Sequence, residues 1–220
     1  DIHYLLDAIN NTFPDITLQE TDIESSWAGL RPLIHEEEKD PSELSRKDET
    51  FISNSGLISI AGGKLTGYRK MAQRVNDTVL KQLKEKYAEK FEDSRTEHIA
   101  LTSHAMRNSK EVANYQKNLT ETLESLGVED SEYKGWYLTT TYGKQAELIK
   151  KKINYFRDAD ANDRLLRAEL WYSVYYEMTN SLADFFVRRT GRLYFDINTV
   201  TQYRQIAVED FVNYLDWTET

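Results

Sequence analysis

The sequence predicts an α+β chain whose strands lie near the front and whose second half is entirely helical. Three observations carry this. A short helix and strand-like runs, interrupted by the Pro- and Glu-rich "RPLIHEEEKDPSE", fill residues 1–60. The stretch "SGLISIAGG" then drives apolar residues into a glycine pair, and from Asn108 onward the apolar spacing is helical throughout.

Each element has its own justification. The opening "DIHYLLDAIN" follows a helical pattern without an initiator Met and lacks the basic and apolar regions of a signal peptide, so it reads as the start of a fragment. After the glycine pair, Leu65, Met71, Ala72, Val75, Val79, Leu80 and Leu83 fall at helical spacings, predicting one long helix from Lys64 to about Lys90 with a cationic end "KQLKEKYAEK". The polar "FEDSRTEHIALTSHAMRNS" reads as a linker. "SKEVANYQKNLTETLESLG" is a helix capped by Gly127, followed by helical "YGKQAELIKKKINYF", "NDRLLRAELWYSVYYEMTN" and "SLADFFVRRTG", the last closed by Gly191. No internal repeat is present.

Bulk composition limits function. A chain of 220 residues with 40% apolar and 30% charged residues can bury a core, which argues against disorder. No window is long and apolar enough to span a bilayer. The absence of cysteine excludes disulfides and thiolate chemistry and suits a reducing cytoplasm. A net charge of -9 argues against general nucleic-acid binding, so a bound anion needs a local basic cluster.

Two such clusters stand out. Where a strand turns into a helix, the first helical amides are unpaired and the positive end of the dipole points outward; Gly62 and Gly63 serve either a tight turn or the approach of a ligand to the backbone. Lys64 and Arg69 oppose the dipole at that helix start, which favours a negative neighbour. Upstream, "SSWAGLRPL" sets Arg31 between Gly29 and Pro32, and "SELSRKDETF" places Arg46 at the edge of the next strand. With Lys64 these guanidinium forks would make a phosphate clamp; the alternative pairs them with the glutamates of "HEEEKD".

The blocks "WAGLRPL", "SRKDE", "GLISIAGGKLTGYRKMA" and "DFFVRRTGRLYF", in this order, resemble the C-terminal half of bacterial FAD-dependent glycerol-3-phosphate dehydrogenases and the related alpha-glycerophosphate oxidases. The resemblance covers most of the chain apart from about Phe91 to Lys134. It implies that residues 1–55 end an antiparallel substrate-binding sheet domain, that 56–90 are the last strand and helix of a Rossmann-like FAD domain, that 91–108 are a linker and that 109–220 form a helical C-terminal domain. The chain has no GxGxxG, so the grip on the ADP half of FAD is expected in an N-terminal FAD domain, and the family's candidate catalytic histidine in upstream segments, both outside this sequence, and no catalytic residue is assigned within it.

By the same resemblance the backbone of Gly62, Gly63, Lys64, Leu65 and Thr66 faces the pyrimidine end of the flavin, and Arg31, Arg46 and Lys64 hold the phosphate of sn-glycerol 3-phosphate. The implied activity of the intact protein is oxidation to dihydroxyacetone phosphate with reoxidation by quinone or oxygen, in the cytoplasm or at the inner face of the membrane as a peripheral protein. The fragment alone is expected to be inactive and to lack FAD. The alternative is a helical module, Asn108 to Gly191, that docks proteins or a membrane surface without catalysis of its own.

Other candidates carry less. His35 stands among glutamates, His98 and His104 lie in the linker without paired spacing, and His3 is near the terminus, so no metal site is expected. In "LWYSVYYEM" the residues Leu170, Trp171, Val174, Tyr175 and Met178 read as a core face. Arg188 and Arg189 read as cations favoured at a helix C-terminus.

Overall fold

The computed structural model describes residues 1–30, 48–88, 90–101 and 105–217. The chain is mostly helical with a single small antiparallel sheet among the described residues. It divides into two compact units, Ala28–Ser103 and a second made of Asp1–Trp27 with His104–Thr220.

In the first unit, strands β1 (Asp48–Ile52) and β2 (Ile58–Gly62) pair antiparallel, with Thr50 opposite Ile60 and Asp48 opposite Gly62. The connection turns on Gly56, whose φ of +86° suits only glycine, and is closed by Gly56 N donating to Ser53 O at 2.9 Å. Helix α2 (Tyr68–Tyr87) follows. Met71, Val75, Val79 and Leu83, four residues apart, share its half-buried side. Lys84 and Lys86 lie in its last turn, where the dipole favours cations, and Ala88 ends it in a left-handed conformation. No described residue of this unit is buried.

Helix α2 is shorter than the sequence predicts. Gly62 and Gly63 both take positive φ, +77° and +86°, and Lys64 is extended. The chain therefore cannot enter a helix at Lys64. It makes a 3-10 turn, Leu65–Gly67, closed by Gly67 N donating to Lys64 O at 2.8 Å, before α2 begins at Tyr68.

The second unit opens with α1 (Ile2–Thr12). Its later part is α3 (Ser109–Ser125), α4 (Ser131–Tyr142), α5 (Ala146–Ile153), α6 (Ala161–Glu177), a π-helical turn (Asp184–Arg189), the short α7 (Arg192–Phe195) and α8 (Ile197–Leu215). Segment 1–27 joins this unit where Ser25 Oγ donates to Leu193 O at 2.6 Å and Trp27 stacks on Tyr194, 4.4 Å between centroids.

Local signals explain the boundaries. Asn108 caps α3 by accepting from Glu111 N at 3.0 Å while the Glu111 carboxylate accepts from Arg107 N. At the other end Gly127, φ +76°, lets Val128 N reach Leu123 O at 3.1 Å and closes the helix as its sequence predicts. Asp160 and Asp196 cap α6 and α8. Helices α3 and α4 cross closely at Gly135, where a Cβ would lie 2.2 Å from Thr120 Oγ1 and 3.2 Å from its backbone Cα.

Helix α6 is the centre of the packing. Leu165, Ala168 and Tyr172 join Leu119, Leu123, Leu138, Ile149 and Ile153 in one cluster. Leu166 and Leu170 join Phe185, Phe186, Ala207 and Phe211 in a second. A helix buried on two sides has no single apolar stripe. The predicted core face of α6 is accordingly wrong in part: Leu170 is fully buried and Trp171 and Val174 are half-buried, whereas Tyr175 is exposed and Met178, the left-handed cap, is 89% exposed.

Candidate functional site

The turn Gly62–Thr66 is built by its glycines. Gly63 is held against α2, and a Cβ there would come 2.8 Å from Met71 Sδ and 3.1 Å from Asp48 Cβ, so both its conformation and its packing demand glycine. All five residues of the turn are exposed, and Leu65 is 89% exposed. Gly67 N and Tyr68 N, at the start of α2, donate to Lys64 O and Leu65 O, so only the amides that open the 3-10 turn lack a helical partner. Such a turn offers bare backbone to a planar group carrying partial negative charge.

The cations predicted near this turn fall into two groups. Lys64 lies at the turn itself, exposed and with no ion pair among the described residues. Arg69 turns away from it, toward Glu97 at 3.7 Å and Thr96 at 3.4 Å. Arg31 and Arg46 lie outside the described residues, as do His35 and His104. His3 faces Glu20 and His98 faces Glu97, both exposed, and no grouping of ligands fit for a metal ion occurs among the described residues. Arg188 and Arg189 bind Asp184 and Glu177.

The helical unit holds a charged network that sequence reasoning missed. Glu169, 1% exposed in the middle of α6, accepts from Tyr137 Oη and Tyr142 Oη, each at 2.7 Å, and from Arg192 Nη2 at 2.6 Å. Burial, then the Glu169 charge, pushes both tyrosine hydroxyls far above their usual range, so both stay protonated and donate to the carboxylate. Burial works against the Arg192 charge, yet Glu169 overrides it and holds the guanidinium more firmly protonated than usual. The available signal was the glutamate itself, set in the apolar run "LLRAELWYSV" where a solvated charge has no place. Nearby, Asp210 on α8 binds Arg167 on α6. Burial raises its carboxyl to about 6 against the pull of that arginine.

Comparison with known proteins agrees with this architecture. Residues 60–220 match the family described as the C-terminal domain of alpha-glycerophosphate oxidase. The chain is 42% identical to the aerobic glycerol-3-phosphate dehydrogenase of Bacillus subtilis, over 100% of this chain and 40% of that protein. It is 41% identical to the protein of the same name from Staphylococcus haemolyticus, over 100% of this chain and 39% of that one. The crystal structure of the glycerol-3-phosphate dehydrogenase from Bacillus halodurans complexed with FAD superposes with a TM-score of 0.78 at 36% identity, covering 100% of this chain and 41% of that one. The chain thus spans about two fifths of the length of the relatives it matches. Over the helices and the strand that lead into them, the chain belongs to the family of the alpha-glycerophosphate oxidase C-terminal domain.

Proposed function

We propose that this chain is the C-terminal part of an FAD-dependent enzyme that oxidises sn-glycerol 3-phosphate to dihydroxyacetone phosphate. The observation that carries the proposal is the exposed glycine turn before α2, in a chain whose full length matches relatives named aerobic glycerol-3-phosphate dehydrogenase. When bound, the flavin supplies the acceptor for hydride from C2 of the substrate. Its ADP half would be gripped by sequence outside this chain, which carries no GxGxxG.

In this reading the chain's own residues bind and orient. The backbone at Gly62, Gly63, Lys64, Leu65 and Thr66 faces the pyrimidine edge of the ring, where unpaired amides favour the negative charge that accompanies reduction. Lys64 and, upstream, Arg31 and Arg46 clamp the substrate phosphate. A clamp remote from the reacting carbon holds C2 in register for transfer and lowers the entropic part of the barrier. Reoxidation by quinone or by oxygen completes the cycle. The residues 1–55 would close the substrate domain, 56–90 the flavin domain, and 109–220 form the helical C-terminal domain. No described helix is long and apolar enough to cross a membrane, and a cytoplasmic or peripheral membrane location suits the reading.

Lys64→Met in the full-length protein tests it, because the change keeps most of the stem and removes only the charge. A lysine aimed at phosphate has no value for a substrate without one. The variant should retain flavin and lose kcat/KM for glycerol 3-phosphate by about ten- to a hundredfold, against little change for unphosphorylated glycerol. Equal loss on both substrates would move Lys64 from the phosphate to the flavin edge.

A further inference from the structure

The helical unit contains a cavity of about 380 Å³ that the proposed oxidation does not use. It lies where the N-terminal ends of α4, α6 and α8 come together, beside α7 and the residue that ends the π-helical turn, Thr190. A π turn costs regular hydrogen bonding and is frequently kept at functional sites. The cavity walls carry polar groups without protein partners. Tyr203 is 8% exposed, and its environment contains charges but no hydrogen bond to its hydroxyl among the described residues. Arg192 Nη1 is buried without a partner. Lys134 Nζ donates to Asn162 Oδ1 at 2.8 Å, which uses one of its three protons.

Charge decides which ligand such a cavity takes. Two cations, Lys134 and Arg192, face four carboxylates, Glu129, Asp130, Glu169 and Asp196. The N-termini of α6 and α8 are already met by the carboxylates of Asp160 and Asp196, and the N-terminus of α4, whose Asp130 makes no side-chain cap, adds roughly half a positive charge. Glu169 is already neutralised by Arg192, and Asp196 is spent on the Thr199 amide and hydroxyl at the start of α8. The balance is close to neutral, so neither a phosphate nor a polyamine is favoured by the field.

What remains free is an alternation of acceptors and donors. Glu129 and Asp130 sit near Lys134 without closing an ion pair with it, although their charges act on its ammonium. Acceptors and donors lining one cavity are satisfied by a hydroxyl, which donates to a carboxylate and accepts from an ammonium or a phenol at once. Tyr137 and Phe195 supply aromatic wall for the C–H face of such a molecule. We propose that this cavity is a binding site for a neutral, polyhydroxylated small molecule of monosaccharide size.

The test is a saturation-transfer NMR titration of the chain with methyl α-D-glucopyranoside, sorbitol, putrescine and inorganic phosphate. Saturable binding of the two neutral probes, weakened by the cavity variants, is expected, whereas any phosphate response should be untouched by those variants. Tyr203→Phe should raise the dissociation constant about three- to tenfold and Lys134→Met about ten- to a hundredfold, with unchanged far-UV circular dichroism. Lys117→Met, on the exposed face of α3, should leave binding as it was. Absence of a saturable response to either neutral probe, binding of putrescine or phosphate that the cavity variants weaken, or neutral-probe binding indifferent to both cavity variants would overturn the assignment. Hydration of the cavity by water alone gives the first of these results.

Discussion

Replacing Glu169 by glutamine removes one charge and almost no volume from the centre of α6. The glutamine oxygen can still accept from Tyr137 and Tyr142, so the change isolates the ion pair with Arg192. Arg192 is 16% exposed and sits 5.6 Å from the Tyr137 ring and 5.7 Å from the Phe185 ring, with no second carboxylate among its described partners. An arginine left charged in that position costs about 3–5 kcal/mol, because its desolvation is no longer offset. In urea unfolding followed by circular dichroism and tryptophan fluorescence, Glu169→Gln should lower stability by that amount, a fall in Tm of roughly 6–20 °C for a chain of this size. Arg192→Met should cost a similar amount by stranding Glu169. The double variant Glu169→Gln with Arg192→Met should cost far less than the two single variants together, since no buried charge then remains and the glutamine oxygen still accepts from both tyrosines. Single variants within about 1 kcal/mol of the parent, or strictly additive losses, would refute the view that these charges hold each other in place.

Gly135→Val should separate α3 from α4, because the Thr120 backbone lies 3.2 Å from the added Cβ; a loss of at least about 2 kcal/mol in the same urea experiment is expected. Asp210 keeps its proton up to about pH 6 in the folded chain but releases it near 3.8 when unfolded, so its stabilising contribution is complete below about 4 and is lost as pH rises to about 6. Asp210→Asn should flatten that part of the stability profile by on the order of 1–2 kcal/mol after solvent screening, and an unchanged slope would clear Asp210 of the effect. Gly63→Val forces φ +86° on a branched residue and drives it into Met71 and Asp48, so the full-length protein should bind less flavin, read from its visible absorbance.

The legible parts of the sequence were those whose physics is local. Gly127 at the end of α3 acts through a hydrogen bond a few residues away and is readable as a letter in a row, as is the onset of helical spacing at Asn108. The glycine pair before α2 was equally visible, but its effect on the helix start was not. Two consecutive positive φ angles postpone α2 by a 3-10 turn, and nothing in the apolar spacing from Leu65 onward records that delay. The role proposed for Lys64 is argued from its exposed place beside that turn, while Arg31 and Arg46, grouped with it from the sequence, lie outside the described residues.

The charged network was illegible for the opposite reason. Its partners come from α4, α6 and α7, separated by 23 to 32 residues, and no window of periodicity joins them. Periodicity also misreads α6 itself, since a helix packed into two clusters loses the contrast between faces on which the method depends. These two failures have one cause. A helix with solvent on one side can place its charges there, so a glutamate in it says little; a helix enclosed on both sides has no such refuge. Glu169 is tolerated in α6 only because Tyr137, Tyr142 and Arg192 converge on it, and Arg192 reaches it from α7, directly after the left-handed Gly191. The buried charge therefore ties the short α7 to the central helix, and the cavity wall that Arg192 and Phe195 contribute is positioned by the same bond.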